Sequence, residues 1–205
     1  MKMTIFTGIA LAAGLAHAGT PSSLILDDFD SIGGDDAAGT RLVMSSIFDP
    51  LGQGGEFYVD NTFVSGSDTG ALIFNSGFGA QQSGGLDYEP GSLDLSAYNA
   101  IELDFLGADQ SFDMWILLSD NGGDTAFGTF QIDAGGERTE IFEFTHFIAL
   151  SFDWSDIDTI EIEFNNGDRV SSLDFIATEL RATVPAPSTL AMLGLGGLVA
   201  TRRRR

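Results

Sequence analysis

The chain has 205 residues, 30 of them Asp or Glu and 9 Lys or Arg, for a formal net charge of -21. Lys2 and Arg202 to Arg205 lie at the ends, so the span 19–184 sets all 30 acids against Arg41, Arg138, Arg169 and Arg181, a balance of -26. A body without a basic face has nothing for phosphates, which excludes a nucleic-acid binder, and the absence of cysteine excludes disulfides and thiolate chemistry.

The first element is a leader. Lys2 precedes an apolar run from Ile5 to Leu15, followed by Ala16-His17-Ala18 and Gly19. A short positive region, an apolar stretch too short to span a bilayer and a small-x-small site describe a cleavable secretory signal, residues 1–18, read by signal peptidase. The mature chain is expected to begin at Gly19.

The body that follows, 19–181, alternates apolar and polar residues with period two, the mark of half-buried strands. Ser23–Phe29, Arg41–Phe48, Glu56–Val64 and Ala71–Asn75 make the first half. Ala100–Leu106, Phe112–Leu118, Thr125–Ile132, Arg138–Phe144, Thr159–Phe164 and Ser172–Leu180 complete it. Phe112–Leu118 is almost continuously apolar and reads as a central strand buried on both faces. Glycine pairs, among them Gly84-Gly85 and Asn121-Gly122-Gly123, are read as turns. About ten short strands without a long helical period predict an all-β sandwich or barrel. With 17 Phe and 43% apolar residues, such a body buries a core, and is not an acidic disordered tail.

The last element, 182–205, has three parts. Val184-Pro185-Ala186-Pro187-Ser188-Thr189 is followed by an uncharged run, 190–201, and then by Arg202-Arg203-Arg204-Arg205. The run reads as one short transmembrane helix, weak because its strongly apolar part is only Leu190 to Ala200. The arginines belong on the cytoplasmic side, leaving the acidic body outside. This order of Pro motif, short apolar helix and Arg cluster resembles the PEP-CTERM sorting signal of bacterial exosortase substrates, with Ala186 where the family name has Glu. The resemblance implies transient anchoring in the inner membrane, cleavage near the Pro motif by an exosortase-type membrane protease, and delivery to the cell surface or an extracellular matrix.

Three stretches of the body carry a second resemblance. Leu26-Asp27-Asp28-Phe29-Asp30 opens it, Leu93-Asp94-Leu95-Ser96-Ala97-Tyr98 precedes a strand, and Trp154 to Ile162 leads to a closing Leu173-Asp174-Phe175-Ile176. This order is similar to that of galactose-binding-like jelly rolls, including many carbohydrate-binding modules. Alternation puts Asp28 and Asp30 on one face of their strand, with Phe29 opposite, and clustered hard oxygens suit Ca²⁺. The resemblance implies a structural Ca²⁺ joining the first and last strands, with Asp174 as the late carboxylate. A solvated acidic strand is the other reading of the same residues.

Of the aromatic residues that could stack on a sugar, Trp154, in an acidic loop, and Tyr88, between Asp87 and Glu89, are the expected exposed platforms, whereas Trp115 reads as core. His146, in an apolar setting, reads as structural. No G-x-S-x-G, H-E-x-x-H or P-loop occurs, and no spacing singles out a carboxylate pair. The chain therefore reads as an exported, non-catalytic surface or extracellular-matrix protein whose candidate ligand is extracellular polysaccharide. The alternative is a secreted glycan-acting hydrolase using two body carboxylates.

Overall fold

Strict alternation dictates the architecture. In the strand Phe112–Asp120, the even-numbered residues Phe112, Met114, Ile116 and Leu118 are buried and the intervening residues are half-buried. One face meets a core and the other is partly wet. The computed structural model describes residues 23–34, 36–48, 53–65 and 68–184. The expected signal segment, residues 1–18, the span 190–201 and the Arg cluster 202–205 lie outside the described residues. Among those described, no helix is long and apolar enough to cross a membrane.

Among the described residues, twelve strands run in chain order: β1 Ser23–Asp27, β2 Thr40–Phe48, β3 Glu56–Ser65, β4 Asp68–Asn75, β5 Gln81–Glu89, β6 Ala100–Ala108, β7 Phe112–Asp120, β8 Thr125–Ile132, β9 Arg138–Glu143, β10 Ile148–Ala149, β11 Ile157–Phe164 and β12 Asp174–Thr183. A 3₁₀ turn, Phe144–His146, is the only helical element among the described residues. The strands form two antiparallel sheets of six. Sheet A has the order β3-β4-β12-β6-β9, with β1 also on β12, and sheet B has the order β10-β8-β7-β11-β5-β2. On β12, β4 occupies the span from Asp174 to Ala177 and β1 the span from Leu180 to Thr183. Ser23 pairs with Thr183, so the chain enters and leaves the sandwich at one end.

A phenylalanine cluster joins the sheets. Phe175 on β12 stacks on Phe74 at 4.9 Å and on Phe112 of the opposite sheet at 5.0 Å, and also meets Phe105 and Phe164. Burying each such ring contributes about 1.5–3 kcal/mol relative to exposure.

Three sequence expectations need correction. Gly84-Gly85 is not a turn but the middle of β5, paired with both β11 and β2. A Cβ at Gly84 would come within 2.8 Å of the Phe57 ring, so the glycine makes room for a core side chain. The second omission, β10, is two residues long and leaves too little pattern to read. The first strand ends at Asp27, and Phe29 takes a positive φ of 60° while fully buried. Asp28 and Asp30 therefore belong to a turn, not to one face of a strand.

Candidate functional site

The wet face of sheet B is where the chemistry collects. The inward side chains of β7 fix its outward ones: Trp115 and Leu117, both half-buried. Register then lines up their neighbours. Leu117 lies opposite Phe127 on β8 and Glu161 on β11, and Glu161 lies opposite Asp87 on β5. In the next row Trp115 lies opposite Glu163, which lies opposite Gly85. The Trp115 and Phe127 rings meet edge to face at 5.9 Å. Trp115, Leu117, Phe127, Glu161 and Glu163 line a depression of about 240 Å³. A second depression of about 200 Å³ continues past Glu163 over Gly85, whose missing side chain leaves the floor bare.

Among the described residues, the carboxylates of this face have no cation. None of the salt bridges among the described residues reaches Glu161, Glu163 or Asp87. Burial pushes the Glu161 carboxyl above the usual range, and the charges of Glu163 and Asp87 push it further, as does its hydrogen bond with Glu163. Asn166 donates to the Glu163 carboxylate. An apolar ring surface beside acceptor oxygens can take the C–H face of a pyranose while the carboxylates accept its hydroxyls.

The outer face of sheet A is different. Arg181 on β12 is held by Glu102, Asp104 and Glu179. Burial lowers the Arg181 pKa, but its hydrogen bonds to Asp104, Glu179 and Glu102 and the Asp104 charge outweigh this and raise it. Near the Asp174 end lies a larger, more open apolar depression of about 460 Å³, with Ile73, Leu106 and Ile176 among its walls.

The two aromatic residues expected as platforms are elsewhere. Tyr88 is fully buried between the sheets, and its hydroxyl donates to Asp27 at 2.8 Å. Asp27 also binds Arg41, so the three form a buried polar group. Burial and the Asp27 charge raise the Tyr88 pKa well above its usual value. Trp154 is half-buried and stacks on Phe144 at 3.9 Å, with Phe147 and Phe152 at its edges. Trp115, read as core, stands on the open face instead. His146 is exposed in the 3₁₀ turn, where an apolar setting was expected.

The expected calcium ligands do not converge. The first and last strands do pair, but in a register that puts Asp27 against Leu180. Asp174 lies six residues further along β12, about 20 Å at 3.3 Å per residue. There its N–H donates to Asp109 at 2.7 Å, and burial and the Asp109 charge raise its own carboxyl. The carboxylates of Asp27, Asp28 and Asp36 instead have oxygens within 4.8 Å of one another. Burial raises the Asp36 carboxyl, and the Asp28 and Asp27 charges add to this. Hard oxygens in mutual repulsion fit a calcium ion in type, although Ca²⁺ takes six to eight oxygens and Asp27 is shared with Arg41.

Comparison with known proteins separates the two parts of the chain. Residues 183–205 match the PEP-CTERM protein-sorting motif. No curated protein matches the chain by sequence. In three dimensions the body is similar to the family 11 carbohydrate-binding module from Clostridium thermocellum, solved in complex with a beta-1,3-1,4-mixed-linked tetrasaccharide. The identity is 16% and the TM-score 0.53, over 81% of this chain and 98% of that one. The solution structure of CtCBM11 aligns at 16% identity and TM-score 0.55, over 83% and 99% of the two chains. An exo-beta-agarase aligns at 13% identity and TM-score 0.53, over 80% of this chain but 25% of its own. The body thus has the jelly-roll fold of carbohydrate-binding modules, and the chain ends in a PEP-CTERM sorting motif.

Proposed function

We propose that the chain is an exported, non-catalytic carbohydrate-binding protein that takes neutral sugars on the outer face of sheet B. The observation that carries the reading is the Trp115–Phe127 ring surface beside Glu161 and Glu163, which no cation among the described residues neutralises. The platform supplies stacking, the carboxylates orient hydroxyls, and the -26 body disfavours anionic polymers. Binding to mixed-linkage β-glucan and other soluble polysaccharides, measured by calorimetry, tests it. Wild type is expected to bind without releasing reducing ends, and Trp115→Ala to lose binding. Release of reducing ends that stops in Glu161→Gln or Glu163→Gln would replace this reading with the hydrolase.

In this account signal peptidase cuts after Ala18 and residues 190–201 hold the chain in the inner membrane. An exosortase-type protease then cuts near Pro185 to Ser188, releasing the body to the surface or extracellular matrix. The sorting match supports this route. Mass spectrometry of the mature protein tests it: Gly19 at one end and loss of Arg202 to Arg205 at the other are expected, and an intact Met1 or Arg205 contradicts it.

Calcium is proposed at Asp27, Asp28 and Asp36, whose carboxylate oxygens lie within 4.8 Å of one another and whose mutual repulsion it would relieve. Ligand binding to the folded state stabilises it by mass action. Millimolar Ca²⁺ is expected to raise the melting temperature of wild type but not of Asp36→Asn. An equal response to NaCl at matched ionic strength would reduce the effect to screening.

A further inference from the structure

Among the described residues the sandwich has five lateral strand edges, and four are protected. β10 has two residues, β9 carries Arg138, Glu140 and Glu143, β3 has a register shift between Asp60 and Val64, and the five-residue β1 has one between Ile25 and Asp27. Short strands, charged side chains and bulges are the devices that stop an edge from pairing with another chain. β2, the remaining edge, has none of them. It pairs with β5 over nine residues from Thr40↔Glu89 to Phe48↔Gln81 without a shift. Its sequence, Thr-Arg-Leu-Val-Met-Ser-Ser-Ile-Phe, contains no acid, in a chain with 30. Its one charge, Arg41, is buried against Asp27. It nevertheless exposes Leu42 at 58%, Met44 at 40%, Ile47 at 43% and Phe48 at 60%.

Hydrogen-bond direction identifies what the edge offers. The Arg41 N–H donates to the Gly33 carbonyl at 2.6 Å and so points away from β5. Along an antiparallel strand these directions alternate, which turns the N–H and C=O of Val43, Ser45 and Ile47 to the same side, where no described residue pairs with them. We propose that this edge pairs antiparallel with the β2 edge of a second copy, about a twofold axis at Ser45. In that register Val43 lies opposite the partner's Ile47, and all three free residues find partners. On the outer face Leu42 lies opposite the partner's Phe48, so the two most exposed apolar side chains of β2 cover each other. A self-complementary patch of this kind closes as a dimer. Charge favours the same occupant: an edge without acids lets two highly acidic bodies approach without setting carboxylate against carboxylate at the contact. The dimer joins two copies of sheet B side by side. If the outer face binds sugar, as proposed above, two binding surfaces then meet one polymer. The dimer itself does not depend on that reading.

The test uses the full chain in a non-ionic detergent, followed by sedimentation over a wide concentration range. Wild type is expected to pass from monomer to dimer. Ser45→Pro removes the central edge N–H while sparing the bonds to β5, and is expected to stay monomeric with an unchanged circular dichroism spectrum. Because this variant keeps the terminal segments, association through them would persist in it. Ser45→Cys in a chain without cysteine is expected to form a reducible cross-linked dimer on oxidation, since opposed residues of such a pair lie about 5.5 Å apart at Cα. Wild type that stays monomeric, a folded Ser45→Pro that dimerises like wild type, or a Ser45→Cys chain that fails to cross-link overturns the proposal. Should Ser45→Pro fail to fold, the cross-link alone decides.

Discussion

The two sheets share one core and one acidic composition, yet their outer faces solve the charge problem in opposite ways. On sheet A, Glu102, Asp104 and Glu179 converge on Arg181. On sheet B, Glu161, Glu163 and Asp87 face one another beside Trp115 and Phe127 without a cation among the described residues. The first arrangement satisfies its carboxylates internally and serves the fold. The second leaves acceptors and ring surface that no cation among the described residues uses. Location on a sheet does not distinguish the two faces; whether their polar groups are already used does.

The largest effect comes from breaking what the faces share. Phe175→Ala removes the ring that packs on Phe74 and Phe105 of one sheet and Phe112 and Phe164 of the other. It is expected to cost about 3–5 kcal/mol in denaturant unfolding and to weaken both faces together. Next comes the platform. Trp115→Ala is expected to lower glycan affinity by about thirtyfold, roughly 2 kcal/mol, and to change stability little because Trp115 lies outside the core. Tyr58→Ala, an exposed aromatic on sheet A, is the control expected to leave binding unchanged.

Arg181→Ala makes sheet A resemble sheet B by leaving three carboxylates without their cation. A stability loss of about 1–3 kcal/mol is expected, from groups left unpaired in a partly buried site, with partial recovery in salt and unchanged glycan binding. The smallest effect is in pH. The Glu161 carboxyl is raised in the fold, so its contribution is present below the ordinary value of 4.5 and is lost as pH rises through its raised value. Glu161→Gln is expected to flatten that decline in urea midpoints. Asp94 and Asp153 behave oppositely. Hydrogen bonds from Ser96 and Ser155 hold them below 3.8, so their contribution is lost as pH falls through their lowered values. The acid limb should therefore survive in Glu161→Gln.

Much of the fold was legible because alternation has one physical cause. Thr125–Ile132 matches its predicted bounds, and Glu161 and Glu163 alternate with buried Ile160, Ile162 and Phe164. β5 was not legible: its glycines imitate a turn, and only the Phe57 ring packed over Gly84 explains them. The outer face of sheet B was misread for a related reason. A run as apolar as Phe112–Leu118 suggests burial on both sides, and Trp115 went to the core with it. The signal that places Trp115 outside lies in the neighbouring strand, where Glu161 and Glu163 show that this side of the sheet is wet. Tyr88 sits between two acids in sequence, but its neighbours Asp87 and Glu89 point to the other face of β5. The acidic group at Asp27, Asp28 and Asp36 depends on a bend at Phe29, with its positive φ, that no local pattern announces.

The measurement that tests the difference between the faces most directly is a chemical-shift map of the protein titrated with a mixed-linkage β-glucan oligosaccharide. Amide shifts on β7, β8 and β11 around Trp115, Phe127 and Glu163, together with the Trp115 indole N–H, are the predicted response, while the Arg181 region of sheet A stays still. Shifts that gather around Tyr58, Ile73 and Ile176, or that leave Trp115 unmoved while sugar binds, would contradict the account.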